Sequence, residues 1–219
     1  VLKMSAISTA LLTLPMMANA DVLASVKPLG FITSSIANGV TDTQILVPAG
    51  ASPHDYSLKL SDVQKVKSAD LVVWVGEDID AFLAKPISQI DRKKVINISE
   101  IPEIKPLLSK VHHEHYHEGD EDEHGHDHKH GHDHKHEHGH DHEHHHHDVD
   151  ENGLSVNWHL WYSPAISQIV AQKVADKLTE QHPDKKELIA KNLADFNRTL
   201  TEQSDKIKAQ LAPLKDKGF

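Results

Sequence analysis

Eighteen of the 21 histidines in this 219-residue chain fall between His112 and His147. A stretch built almost wholly from His, Asp, Glu and Gly cannot bury enough apolar surface to offset the entropy of ordering its backbone. The fold must therefore come from what precedes and follows it, with residues 112–150 carried as an insert. The insert repeats itself: Gly125-His126-Asp127-His128-Lys129 recurs at 131–135, and histidine occupies every even position from His124 to His146. Through Asp150 it holds 13 acidic residues and two lysines, which accounts for the chain's net charge of -10. The remainder is close to neutral and offers no basic face for nucleic acid. We read residues 112–150 as a disordered surface loop.

The first twenty residues also stand apart. Lys3 gives a positive start, an apolar stretch follows with Leu11, Leu12, Leu14, Met16 and Met17, and Ala18-Asn19-Ala20 is a small-residue cleavage pattern. This describes a secretory signal peptide over residues 1–20, removed before Asp21. No later stretch is apolar enough to cross a bilayer. The expectation is an exported protein, periplasmic in a cell with an outer membrane. The absence of cysteine excludes disulfides, thiolate zinc sites, Fe–S clusters and cysteine catalysis.

Between leader and insert, strand and helix signals alternate. Residues 22–29 read as a strand, and Leu29, Ile32, Ile36 and Ala37 have helical spacing closed by Asn38-Gly39. Residues 43–47 read as a strand, and Ser61 or Asp62 as the cap of a helix through Lys67. The run Leu71-Val72-Val73-Trp74-Val75 predicts a strand covered on both faces. Residues 79–90 read as a helix interrupted by Pro86, and 94–98 as another strand. This alternation predicts an α/β lobe with a mostly parallel sheet over residues 21–111. After the insert, residues 151–182 complete the lobe, with Pro164 opening a helix that carries Ile166, Ile169, Val170, Val174 and Leu178 on one side. Residues 183–219 read as a long helix striped by Leu193, Phe196, Leu200, Ile207 and Leu211. Some 27 helical residues span about 40 Å, a length suited to a strut between two lobes. The closing Gly218-Phe219 reads as a helix stop before a strand, so the chain is expected to be the N-terminal part of a longer protein.

Metal chemistry dominates the candidate sites. Neutral imidazole suits zinc, copper and nickel, and histidine at this density can gather four nitrogens around an ion, while the interleaved carboxylates concentrate cations. Ordering the loop opposes binding, so residues 112–147 predict accessory, weak sites. Outside it, His54 lies in Ser52-Pro53-His54-Asp55-Tyr56, a strand-to-helix loop of the kind where ligands collect in open α/β folds. On spacing alone it is a solvated loop histidine. His159, between Trp158 and Trp161, is on spacing alone a core histidine. His182 precedes Pro183 at a helix end, where a cation suits the dipole, and is given no function.

Taken in order, Gly50-Ala51-Ser52-Pro53-His54-Asp55-Tyr56, Ala69-Asp70-Leu71-Val72-Val73-Trp74-Val75-Gly76, the His-rich acidic loop, His159-Leu160-Trp161-Tyr162-Ser163-Pro164 and the long helix ending Leu211-Ala212-Pro213-Leu214 resemble the zinc-uptake periplasmic binding proteins. These belong to the metal-binding cluster of ABC-transporter solute-binding proteins. The resemblance covers everything after the leader. It implies a lobe of a two-lobed binding protein, a long inter-lobe helix, and a second lobe absent from this chain. It further implies that His54 and His159 are zinc ligands, with a third His and an acidic ligand beyond Phe219. Some relatives carry Glu just before the first ligand; here Pro53 stands there.

The function implied is a monomeric zinc-capturing protein that delivers Zn2+, its transported ligand, to the membrane subunit of an ABC permease. A different class is a periplasmic His-rich zinc buffer or chaperone in which the tract is the main binding element. A zinc hydrolase would need an open metal position and a general base, and no H-E-x-x-H motif is present. No enzymatic activity is expected. Because only neutral imidazole binds metal, capture should weaken below about pH 6. A zinc titration series should fall steeply there, and a flat affinity from about pH 7.5 to 5 would exclude histidine ligation.

Overall fold

The computed structural model describes residues 21–112 and 154–215. The leader at 1–20, the tract from residue 113 to 150, and residues 151–153 and 216–219 lie outside the described residues.

The central element is β3 (Leu71–Trp74), every residue of which is buried. Its side chains alternate between two cores, as strand geometry requires. Leu71 and Val73 enter one core with Val22 and Ala24 of β1 (Val22–Ala24), while Val72 and Trp74 enter the other with Leu23. β3 pairs in parallel with β1 on one side and with β4 (Val95–Asn97) on the other, and β1 pairs in parallel with β2 (Thr43–Ile45). The order is β2-β1-β3-β4. The chain steps from β1 outward to β2, then returns past β1 to β3, so the order in which strands are added reverses between β1 and β3 while all four strands stay parallel.

Helices cover both faces, the burial that a parallel sheet needs. One face carries α1 (Lys27–Ala37), α5 (Pro164–Gln181) and the start of α6 (Lys186–Leu211), which contribute Leu29, Ile36, Val170, Leu178 and Ile189. The other carries α2 (Leu60–Ser68) and the broken segment α3 (Glu77–Asp80) and α4 (Ala84–Ile87), with Val66 and Leu83 at its centre. The mostly parallel α/β lobe expected from the sequence is thus the observed one.

Several boundaries differ for physical reasons. The first strand ends at Ala24, five residues short of the expected limit, because Pro28 sits in the first turn of α1, where its missing N–H is harmless. The helix expected over 79–90 is two four-residue turns joined by a 3-10 turn at Ala81–Leu83. Asp62 does cap α2, but from its third position, accepting the Lys59 N–H at 3.1 Å. Ser163 caps α5 through the Ile166 N–H at 3.4 Å.

The insert is rooted in a hairpin that local sequence did not reveal. β5 (Lys110–His112) pairs antiparallel with β6 (Leu154–Val156), so the tract's first histidine, His112, belongs to a strand.

α6 is joined to the lobe by packing and by one polar clamp. Asn192, buried, donates both amide hydrogens to the C-terminal end of α1, to Ile36 O at 3.0 Å and Asn38 O at 2.9 Å. Leu193 and Phe196 pack on the core, whereas Ile207 and Leu211 are exposed. Asn192→Ala would strand two carbonyls at a helix end, at about 1–3 kcal/mol. Urea unfolding should show the unfolding free energy lowered by that amount at an unchanged slope, and an unchanged midpoint would mean that water replaces the amide.

Candidate metal centre

Both predicted ligands lie on loops beyond the lobe's framework, and the structure brings them together. His54 occupies a 3-10 turn, Pro53–Asp55, in the connection from β2 to α2. Ser52 caps the turn, its Oγ accepting the His54 N–H at 3.2 Å. The loop is tied down further on by Tyr56, whose hydroxyl donates to Asp62 Oδ2 at 3.0 Å and whose ring meets Phe82 edge-on. The Lys59 N–H and Tyr56 hydroxyl, together with Lys65, hold the Asp62 carboxyl below its usual range against the opposing effect of burial, which is individually the largest influence. The Tyr56 hydroxyl is raised, chiefly by desolvation and then by Asp62.

His159 precedes a second 3-10 turn, Leu160–Tyr162. Asn157 Oδ1 accepts the His159 backbone N–H at 3.0 Å, which fixes the direction of the amide. The same oxygen lies 3.0 Å from His159 Nδ1, so Nδ1 carries the proton and donates. Nε2 is left as a lone-pair donor. This is the arrangement in which a ligating imidazole is oriented by a partner on its other nitrogen. Asn157 itself is anchored by its N–H to Ser109 O at 2.8 Å, next to the hairpin. Trp161 covers one side of the ring edge-on, at 5.3 Å between centroids. His159 is exposed as a residue, yet partial desolvation and, second, the neighbouring His54 move its pKa down from 6.5. A depressed value keeps the ring neutral, and able to bind metal, to lower pH than a free imidazole.

The rings of His54 and His159 lie 5.7 Å apart, tilted by 51°. Two imidazoles sharing a tetrahedral zinc at about 2.0–2.1 Å place their centres roughly 5 Å apart. The observed separation is therefore close to the spacing that bridging one zinc ion requires. Among the described residues no third His, Asp or Glu joins them at ligand distance. His182 is remote in role: its N–H closes α5 onto Leu178 O at 2.8 Å.

Residues 22–219 match the family model described as "ZnuA: Zinc-uptake complex component A periplasmic". The chain belongs to the ZnuA family. It is 78% identical over 227 residues to the high-affinity zinc uptake system protein ZnuA of Haemophilus influenzae, covering 100% of this chain and 67% of that protein. To the ZnuA of Haemophilus ducreyi it is 50% identical over 217 residues, covering 99% and 65%. This chain thus spans about two thirds of the length of these ZnuA relatives. Among solved structures, one described by the metal-binding specificity of TroA aligns with TM-score 0.63 at 17% identity, covering 89% of this chain and 55% of that one. Zn(II)-bound AdcA from Streptococcus pneumoniae aligns with TM-score 0.57 at 20% identity, covering 88% and 32%. These structures share the fold.

The sequence reading missed Asn157, although its place two residues before His159 is visible once the turn is known. It also missed Asp80, buried at the ends of β1 and β3. Burial is the largest influence and holds the Asp80 carboxyl above its usual range, against the bonds from Ser25 and Val75 and the charge of His54, which lower it. Asn157→Ala should free the His159 ring to rotate and change tautomer. Metal affinity, measured by chelator competition, should drop about 10–100-fold with the circular dichroism unchanged. Undiminished affinity would show that the ring is oriented by other contacts.

Proposed function

We propose that this chain carries the metal-capturing lobe of a periplasmic zinc-uptake protein, in which His54 and His159 are two ligands of the transported Zn2+. The observation that carries this reading is the pair of imidazoles at 5.7 Å, one locked in the tautomer that leaves Nε2 free. Membership of a family of periplasmic zinc-uptake components supports zinc as the cargo. Two nitrogens fill two corners of a tetrahedral ion. The remaining corners are taken by a third His and an acidic group from the part of the relatives that this chain does not span. The protein is exported by a cleaved leader over residues 1–20, works as a monomer, and passes its ion to the membrane subunit of an ABC permease.

Capture here is ligand exchange. The ion loses bound water to preset nitrogens, and no covalent chemistry is asked of the protein. Protons and zinc compete for the same lone pairs, so affinity falls as pH drops. Because the His159 pKa lies below 6.5, its share of the loss comes at lower pH than for a free imidazole. The tract acts as an accessory collector that raises zinc concentration near the cleft.

The test is zinc stoichiometry under a competing chelator, on the full-length protein and three variants. Deleting residues 113–150 should leave one tightly held ion. His54→Ala and His159→Ala should each weaken that ion by more than the ~100-fold that accompanies loss of a ligand's hydrogen-bond partner. If the deletion removes the tight ion and the histidine variants keep it, the tract is the binding element and the protein is a buffer.

A further inference from the structure

In an open parallel sheet, ligands are bound outside the carboxyl ends of the strands, where the strand order reverses. Here that point lies between β1 and β3, and a carboxylate is built into it. Asp80 is completely buried. Its Oδ2 accepts the Ser25 hydroxyl at 2.6 Å, just past the end of β1, and the Val75 N–H at 2.8 Å, just past the end of β3. Those two bonds fix the plane of the carboxylate. Its other oxygen, Oδ1, is buried with no hydrogen-bond partner among the described residues. A carboxylate oxygen held in place and left unpaired is costly to bury, and native structures seldom keep one without a use.

The neighbouring element supplies a candidate partner. α3, which ends in Asp80, packs against the 3-10 turn that carries His54. His54 has no ring hydrogen bond corresponding to that between His159 and Asn157 among the contacts described. Asp80 does not group with the two histidines as a third metal ligand. It is placed to act on a ligand rather than on the ion.

We propose that Asp80 is a positioning residue for His54: when a zinc ion joins the two rings, the non-ligating ring nitrogen of His54 donates its N–H to Asp80 Oδ1. This completes a carboxylate–histidine–metal chain, an arrangement that fixes the tautomer and makes the imidazole a stronger donor. The inference rests on His54 being a zinc ligand. The two ligands are then oriented by different chemistry, His159 by a neutral amide near the surface and His54 by a buried carboxylate at the sheet's branch point. With zinc bound, Oδ1 gains the partner that the described residues do not give it.

Asp80→Asn separates this role from a structural one. An asparagine oxygen can still accept from Ser25 and Val75, so the strand ends stay joined. Its amide would present a donor to His54 where an acceptor is needed. In the full-length protein, chelator competition should show zinc bound about 10–100-fold more weakly, with the thermal transition of the metal-free protein unchanged. In 15N-edited spectra of the zinc-loaded wild type, one imidazole N–H should be protected from solvent exchange, absent in His54→Gln and absent in Asp80→Asn. That second readout needs only the wild type and His54→Gln, so a missing His54 signal overturns the proposal even if Asp80→Asn does not fold. Wild-type affinity in Asp80→Asn, or no protected His54 N–H in the loaded wild type, would reduce Asp80 to a staple between strands. Tight zinc retained by His54→Ala would instead overturn the ligand assignment on which the proposal rests.

Discussion

Everything in the lobe is arranged around the burial of β3 on both faces. Because its side chains alternate into two cores, β3 can be solvated on neither side, and helices must close over both. Parallel pairing to β1 and β4 then brings three strands to the same end together. That end is where the chain can leave the core, turn and carry polar groups. Gly76 makes the exit possible. Its φ of 134° is costly for any residue with a Cβ, and a Cβ there would lie 2.5 Å from Ser99 Oγ. The turn it allows swings α3 back over the strand ends and delivers Asp80 to the Val75 N–H.

The two histidines depend on this frame in different ways. His54 reaches the site on a loop made rigid by small local bonds, from Ser52 at its base to Asp62 holding Tyr56 and the Lys59 N–H. His159 arrives from the far side of the insert, and its position rests on Asn157. The hairpin explains how a long low-complexity insert can interrupt the lobe without disturbing the site. β5 and β6 close the base of the loop, and the bond from Asn157 N–H to Ser109 O extends that closure to the residue that orients His159. Closing a long loop costs little more than closing a moderately long one, so the insert's length is nearly free once its ends are pinned.

What was legible in the sequence follows from how local each signal is. The β3 run, the period of α5 and the proline at its first turn were readable because each is decided within a few residues. The strands β5 and β6 were not, because each has only three residues and its partner lies some forty positions away. The segment 79–90 misled because its apolar spacing is helical while Pro86 and the tight exit from β3 divide it into short turns. His54 and His159 were visible as residue types, but spacing alone favoured a solvated histidine and a core one. Only their order along the chain, set against a family, made them a pair. Asp80 was hidden because Glu77-Asp78-Ile79-Asp80 looks like a solvated acidic turn, and the strand ends that bury its last member are contributed by β1 and β3.

The proposed ligation of zinc by His54 and His159 also has consequences for transport. Two imidazoles on a rigid frame can select an ion by ligand type and spacing, since imidazole suits zinc while carboxylate-rich sites suit harder cations. On that proposal two nitrogens leave a tetrahedral ion incomplete, and tight holding depends on further ligands. Affinity then becomes a property of how the frame meets those groups, and can be lost again by separating them without changing either histidine. The local arrangement suits such use. The His159 ring is aimed by Asn157, and desolvation followed by the neighbouring His54 lowers its pKa below the ordinary value, so protons compete with metal for that nitrogen at lower pH than for a free imidazole. A carrier that must both seize and surrender its cargo gains from holding half of the ligands fixed, because the other half alone then decides between the two states.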